Sequence, residues 1–340
     1  MDFAEPPPRG PTIDRRGFVH LLLAGAGAGL GGGLVREPLD GPSLILESVT
    51  RTVNALATGY SSTDPRRIGT ALNHAERNIT KLVTGRPSPT QMRDTKAVYS
   101  RLLTISSAVA DDTGDYDEAI RTGELAASLA TEVGDAQTSG YAWSIVSGAL
   151  HHSGRHRKAV DIAQRAKSTA GASPSGVMAL LEEATAAAAM GRAHTTIDAV
   201  MAAEEQHGKL SDAAWGNPGF GLLGTYHPSN LKAFAGSALV EVGLFDEATP
   251  RLEEAADILA GSPAAGIRAY VWVYQARAAL GQGDVDKAHA VASKAVAMAD
   301  ARPTAFIAGS VVQLDLMAGG EFSDLVDRVR PWGFSPPSTV

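Results

Sequence analysis

Apolar residues at Leu44, Leu46, Val49, Val53 and Leu56 recur on one helical face, so residues 42–59 read as a helix. A second irregular helix is expected over 66–84, broken by Thr84-Gly85-Arg86-Pro87-Ser88-Pro89. From about residue 90 the pattern repeats on a longer scale. With Gly114, Gly154, Gly191, Gly243 and Gly283 as origins, a small residue stands seven positions before each: Ser107, Ser147, Ala184, Gly236 and Ala276. Twelve positions after each stands alanine: Ala126, Ala166, Ala203, Ala255 and Ala295. Five positions after stand Ala119, Ala159, Ala248 and Ala288, with Thr196 the exception. Helices approach closely only where facing side chains are small, and a glycine turn lets the chain reverse between them. The intervals of 40, 37, 52 and 40 residues are those of stacked supersecondary units.

This register predicts helix pairs near 90–112 with 116–132, 135–152 with 156–169, 174–190 with 194–206, 228–242 with 245–259, and 264–280 with 285–300. A last pair near 304–317 and 321–329 turns through Gly319-Gly320 but has Gln313 at the small position, and reads as the C-terminal cap. Pro174, Pro228, Pro263 and Pro303 stand at or just before the starts of first helices, where a missing N–H costs little. The 52-residue interval implies an insertion at 208–227, a glycine-rich loop whose Trp215 and Tyr226 could close over a groove or pack on neighbouring helices. The expected division is a disordered leader at 1–41, capping helices at 42–86, the repeat domain at 87–330 and a tail at 331–340.

Composition sharpens this picture. With 44% hydrophobic and only 6% aromatic residues, the 340-residue chain suits close-packed helices better than a β-sandwich. A net charge of −7 argues against a nucleic-acid surface, and the lack of cysteine removes disulfides, thiolate catalysis and cysteine-ligated metals. In the leader, Arg15-Arg16-Gly17-Phe18 and the Gly/Ala run to Val35 resemble a twin-arginine export signal spanning 14–35. Asp2, Glu5 and Asp14 beside the arginines, and glycines diluting the apolar run, favour a cytoplasmic protein, with export as the alternative. No segment is apolar enough for a stable membrane span. Gly27-x-Gly29-x-x-Gly32 matches the dinucleotide fingerprint formally, but that motif needs a βαβ unit and everything downstream reads helical.

The repeat register resembles the tetratricopeptide repeat (TPR). Trp143 and Trp272 fall where that family has a large aromatic, with Leu103 and Leu180 acceptable and Lys232 a departure; Tyr116 and Phe245 match a second aromatic position. The resemblance implies an all-α, right-handed superhelical solenoid over residues 90–300. The order of parts also resembles the sensor half of actinobacterial Xre-type helix-turn-helix regulators, in which Arg-Arg-x-Phe precedes a TPR array. No helix-turn-helix precedes it here, so direct DNA binding is not expected.

Catalytic signals are weak. His152 and His156 flank the turn glycine Gly154, so they fall on different helices and do not form a helical metal pair; the histidines read as solvated or groove-facing. Asp111-Asp112, Glu182-Glu183, Glu204-Glu205 and Glu253-Glu254 are adjacent, so their members diverge by about 100° on a helix and read as solvated faces. No cofactor, metal or catalytic residue is assigned. The resemblance implies that first helices line a concave groove, thirteen positions before each glycine and on neighbouring rows. Those rows hold Arg101, Tyr141, Asn230, Tyr270, Ser144 and Arg277, which with Trp215 and Tyr226 form the expected peptide-binding set. The expected function is a regulatory peptide- or protein-binding scaffold linked to transcription. An exported binding protein and an enzyme with its site in the groove are the alternatives.

Overall fold

The computed structural model describes residues 41–212, 223 and 227–334. The leader segment read as an export signal, and Trp215 and Tyr226 of the insertion, lie outside the described residues. Helix α1 (Gly41–Gly59) leads through a short 3-10 turn (Tyr60–Ser62) into α2 (Pro65–Thr84). Six pairs follow: α3 (Pro89–Asp112) with α4 (Tyr116–Val133), α5 (Ala136–His152) with α6 (His156–Ala170), and α7 (Pro174–Ala188) with α8 (Ala193–Gly208). Then come α9 (Pro228–Glu241) with α10 (Phe245–Leu259), α11 (Ala265–Gly281) with α12 (Val285–Ala299), and α13 (Ala305–Met317) with the short α14 (Ser323–Val329). Among the described residues there is no strand, and no helix is long and apolar enough to cross a membrane.

Local chemistry fixes where the helices begin and turn. Side chains of Asp64, Ser88, Asp115, Asp135, Ser173, Asp284 and Thr304 accept from backbone N–H groups of the first turn, satisfying donors that have no intrahelical partner. The turn glycines adopt positive φ, from 68° at Gly191 to 84° at Gly283, a region that penalises any side chain. At the first turn the Asp115 N–H then reaches back to the Ala110 carbonyl at 2.8 Å, closing the helix end.

The small-residue register is the contact between the two helices of a pair. Ala119, Ala126, Ala159, Ala166, Ala248, Ala255, Ala288 and Ala295 are all fully buried. Where the position seven before the glycine is serine, its hydroxyl bridges to the facing helix: Ser107 Oγ donates to the Ala119 carbonyl at 2.6 Å and Ser147 Oγ to that of Ala159 at 2.8 Å. In the fourth unit a Cβ on Gly236 would stand 2.7 Å from Leu252, so only glycine fits. Ala127, one position beyond the register, is equally buried because α4 also packs against α5. The outer helices are therefore covered on two sides.

First helices also pack on one another, α3 on α5, α5 on α7, α7 on α9, α9 on α11 and α11 on α13, forming the inner layer of a superhelical solenoid. One turn of the superhelix brings its ends together. Arg302, just before α13, donates through Nε to the Tyr60 carbonyl at 3.1 Å and through Nη2 to Asp112 Oδ2 at 2.5 Å. Arg66 of α2 reaches the Trp332 carbonyl at 2.5 Å and lies over the Phe334 ring. The inner face thus lines a partly open chamber.

Candidate functional site

Positions thirteen, nine and six before a turn glycine lie on one helix face, because steps of four and three residues keep to the same side. The first of these rows gives Tyr141, Met178, Asn230 and Tyr270 to a chamber on the superhelix axis. The second gives Ile145, Glu182, Phe234 and Tyr274, and the third Ala108, Gly148 and Thr185. Asp111, Asp112, His151 and His152 enter from the ends of α3 and α5. Tyr60, Arg302, Phe306 and Ile307 close the side where the superhelix meets itself. The chamber measures about 210 Å³.

One wall is aromatic. The Tyr270 ring lies 5.0 Å from Phe234, 4.9 Å from Tyr274 and 5.1 Å from Phe306, the last pair stacked. The Tyr270 hydroxyl is committed to Ser237 at 2.7 Å, so the ring's remaining offer to a ligand is its apolar and π surface. Burial holds the Tyr141, Tyr270 and Tyr274 hydroxyls above the ordinary phenol range, and all three are neutral.

A second part of the lining is charged, beginning at His152, whose ring lies 5.6 Å from Phe306, and most of its charges are matched. His152 Nδ1 lies 2.9 Å and 3.1 Å from the two Asp111 carboxylate oxygens. Burial pulls the His152 imidazole down, but Asp111, with Glu182 and Asp112 adding to it, raises it to about 9 and keeps it cationic. Neighbouring His151, buried and beside that cation, is driven well down and is neutral. Asp112 accepts from Tyr60 Oη at 2.5 Å and pairs with Arg302, whose side chain is only 4% exposed. Glu182 differs from these groups. Its carboxylate lies over Gly148, where a Cβ would stand 3.4 Å from Oε2, and it has no hydrogen bond or ion pair among the described residues. Burial pushes it up to about 8, with His152 opposing and Asp111 adding.

The expected binding set divides. Tyr141, Asn230 and Tyr270 line the chamber. Ser144 is fully buried and spends its hydroxyl on the Gly140 carbonyl, since its row points between helices instead of inward. Arg101 lies outside the chamber and donates to Asn54 of α1 at 2.9 Å. Arg277 is held by Glu241 in a two-point ion pair, one arm at 3.0 Å, and stacks beside Tyr274.

Two readings of adjacent acids as solvated faces are corrected. Asp111 and Asp112 diverge, as their spacing requires, but each meets a cation, half-buried His152 for Asp111 and buried Arg302 for Asp112. Glu183 is buried too, bound by Gln164 at 2.9 Å and Lys167 at 2.7 Å, while Glu182 faces the chamber. The signal for Glu182 lay in the sequence: it follows Met178 by four residues on a chamber-lining face.

The fold is similar to that of a Rap protein complexed with Competence and Sporulation Factor, with a TM-score of 0.53 and 10% identity over 84% of this chain and 86% of that one. Aspartyl phosphate phosphatase F from Bacillus subtilis superposes with a TM-score of 0.45 at 12% identity, over 89% of this chain and 86% of that one. No family model matches the chain, and no curated protein matches it. The chain is a TPR-like helical repeat protein.

Proposed function

We propose that this protein is a regulatory scaffold that captures a peptide, or a segment of a partner protein, on the inner face of its solenoid and has no catalytic role. The observation that carries this reading is convergence. Corresponding rows of α3, α5, α7, α9 and α11 deliver Ala108, Tyr141, Glu182, Asn230 and Tyr270 to one chamber. An amide, aromatic faces and a carboxylate are what a short peptide needs for backbone and side-chain recognition. A Rap protein of similar fold was solved with Competence and Sporulation Factor, which supports a binding role for this architecture. The link to transcription rests on the Arg15-Arg16-Gly17-Phe18 segment preceding the repeats, and cytoplasmic residence on the acidic, glycine-diluted leader.

Selection of a random short-peptide library on the immobilised protein tests the site. Captured sequences that are lost on Asn230→Ala and on the chamber-filling Thr185→Phe, with helicity retained, are the expected result. Capture unchanged by both substitutions would place the partner elsewhere. Appearance of a processed form outside the cell, abolished when Arg15 and Arg16 become lysine, would replace the cytoplasmic assignment with export.

A further inference from the structure

The chamber's ionisable groups can be matched in pairs, and one acid is left over. Asp111 is matched by His152 and Asp112 by Arg302, while His151 and the wall tyrosines are neutral. Glu182 is the acid on this wall with no ion pair among the described residues. Its carboxylate lies over Gly148, where a Cβ would stand 3.4 Å from Oε2, and the residue lines the cavity. The same cavity is lined by the Phe234, Tyr270 and Tyr274 rings, whose faces carry negative electrostatic potential. A carboxylate and aromatic faces favour the same ligand charge.

We propose that the chamber recognises a single residue-sized cationic group, an ammonium or guanidinium, seated against the Glu182 carboxylate and the aromatic wall of Phe234 and Tyr270. This rests on the reading of the chamber as the binding site and narrows its ligand. Size sets the "residue-sized" limit: about 210 Å³ falls below the roughly 300–1,000 Å³ of pockets that enclose drug-sized ligands. A volume of that order suits one side chain, one chain terminus or one small amine. A cation also suits the energetics. Without one, burial keeps Glu182 protonated near neutral pH; with one, the carboxylate ionises beside its counterion and the desolvation penalty is offset.

Benzylamine, benzylguanidine and the neutral, similarly shaped benzyl alcohol serve as probes in calorimetric titration of the full chain at neutral pH. The two cations should bind and the alcohol should not. Glu182→Gln, isosteric with the protonated acid, should weaken the cations by at least about tenfold, the scale of a lost charge-assisted hydrogen bond. The peptide selection separates this inference from the reading beneath it. Peptides captured without enrichment in lysine, arginine or a free amino terminus, and equally by Glu182→Gln, would overturn the cation and leave the peptide site standing. Glu182-dependent binding of amines with no peptide captured would support the cation and replace the peptide by a free amine. Equal binding of alcohol and amine, or no Glu182-dependent binding by any probe or peptide, would overturn the inference.

Discussion

Glu182→Gln should make this protein more stable in neutral and alkaline solution and abolish part of its pH dependence. Burial raises the Glu182 carboxyl from the ordinary 4.5 to about 8, against the pull of His152. The folded state therefore keeps a proton that the unfolded chain releases above pH 4.5. Stability from this group is complete below pH 4.5 and declines until pH passes about 8. At about 1.4 kcal/mol per pH unit the full decline is about 5 kcal/mol, an upper bound because the carboxylate borders the chamber and is not sealed in packed protein. Even half of that, about 2.5 kcal/mol, exceeds the uncertainty of a denaturation midpoint. Glutamine keeps the shape and cannot ionise, so the variant lacks the decline between pH 4.5 and about 8. His152 contributes a second decline with the same sign: its folded value of about 9 exceeds the ordinary 6.5, so stability present below 6.5 is lost as pH rises through 9. That limb should survive in the variant, shifted to lower pH because Glu182 helps hold the imidazolium. Urea denaturation followed by circular dichroism from pH 5 to pH 9 reads the difference. Parallel curves for the two proteins from pH 5 to pH 8 would refute the description of Glu182 as a buried acid without a counterion.

The repeat register predicts that Ala126→Leu, Ala166→Leu and Ala255→Leu each cost roughly 1–3 kcal/mol, since all three sites are fully buried. Exposed Ser128→Leu is the control, and equal melting temperatures would contradict the register. Removing Arg302 by Arg302→Ala leaves Asp112 without its cation and should cost about 3–5 kcal/mol. Hydrogen exchange should then quicken first at residues 60–62 and 302–307, and uniform protection there would show that the closure does not depend on this pair. Gly281→Ala would place a Cβ 2.2 Å from the Phe245 ring and should destabilise by roughly 1–3 kcal/mol, while Gly208→Ala, with nothing within 4 Å, should not; thermal melts compare them.

The fold was legible because its punctuation is local. A glycine at positive φ, a serine or alanine seven positions earlier and alanines after it are fixed by backbone geometry and by contact between neighbouring helices, so each unit repeats the same residues. The chamber is not local in this sense. Its closure depends on Arg302 meeting Tyr60 across 242 positions, a pairing set by the summed curvature of the five helix pairs between them that no single unit records. For the same reason adjacent acids could not be assigned from spacing alone: divergence on the helix shows that Asp111 and Asp112 look different ways, but not that each look ends on a cation lining the chamber. The binding set went partly astray through a smaller step. Ser144 lies three residues after Tyr141 and turns between helices, whereas Ile145, four residues after, stays on the chamber wall. The equivalent step from Met178 arrives at Glu182, and from Asn230 at Phe234. Side chains that pack helices onto each other and side chains that face the axis thus differ by one residue in register. In a solenoid whose inner helices touch neighbours on both sides, that one residue separates a serine packed between helices from a side chain on the chamber wall.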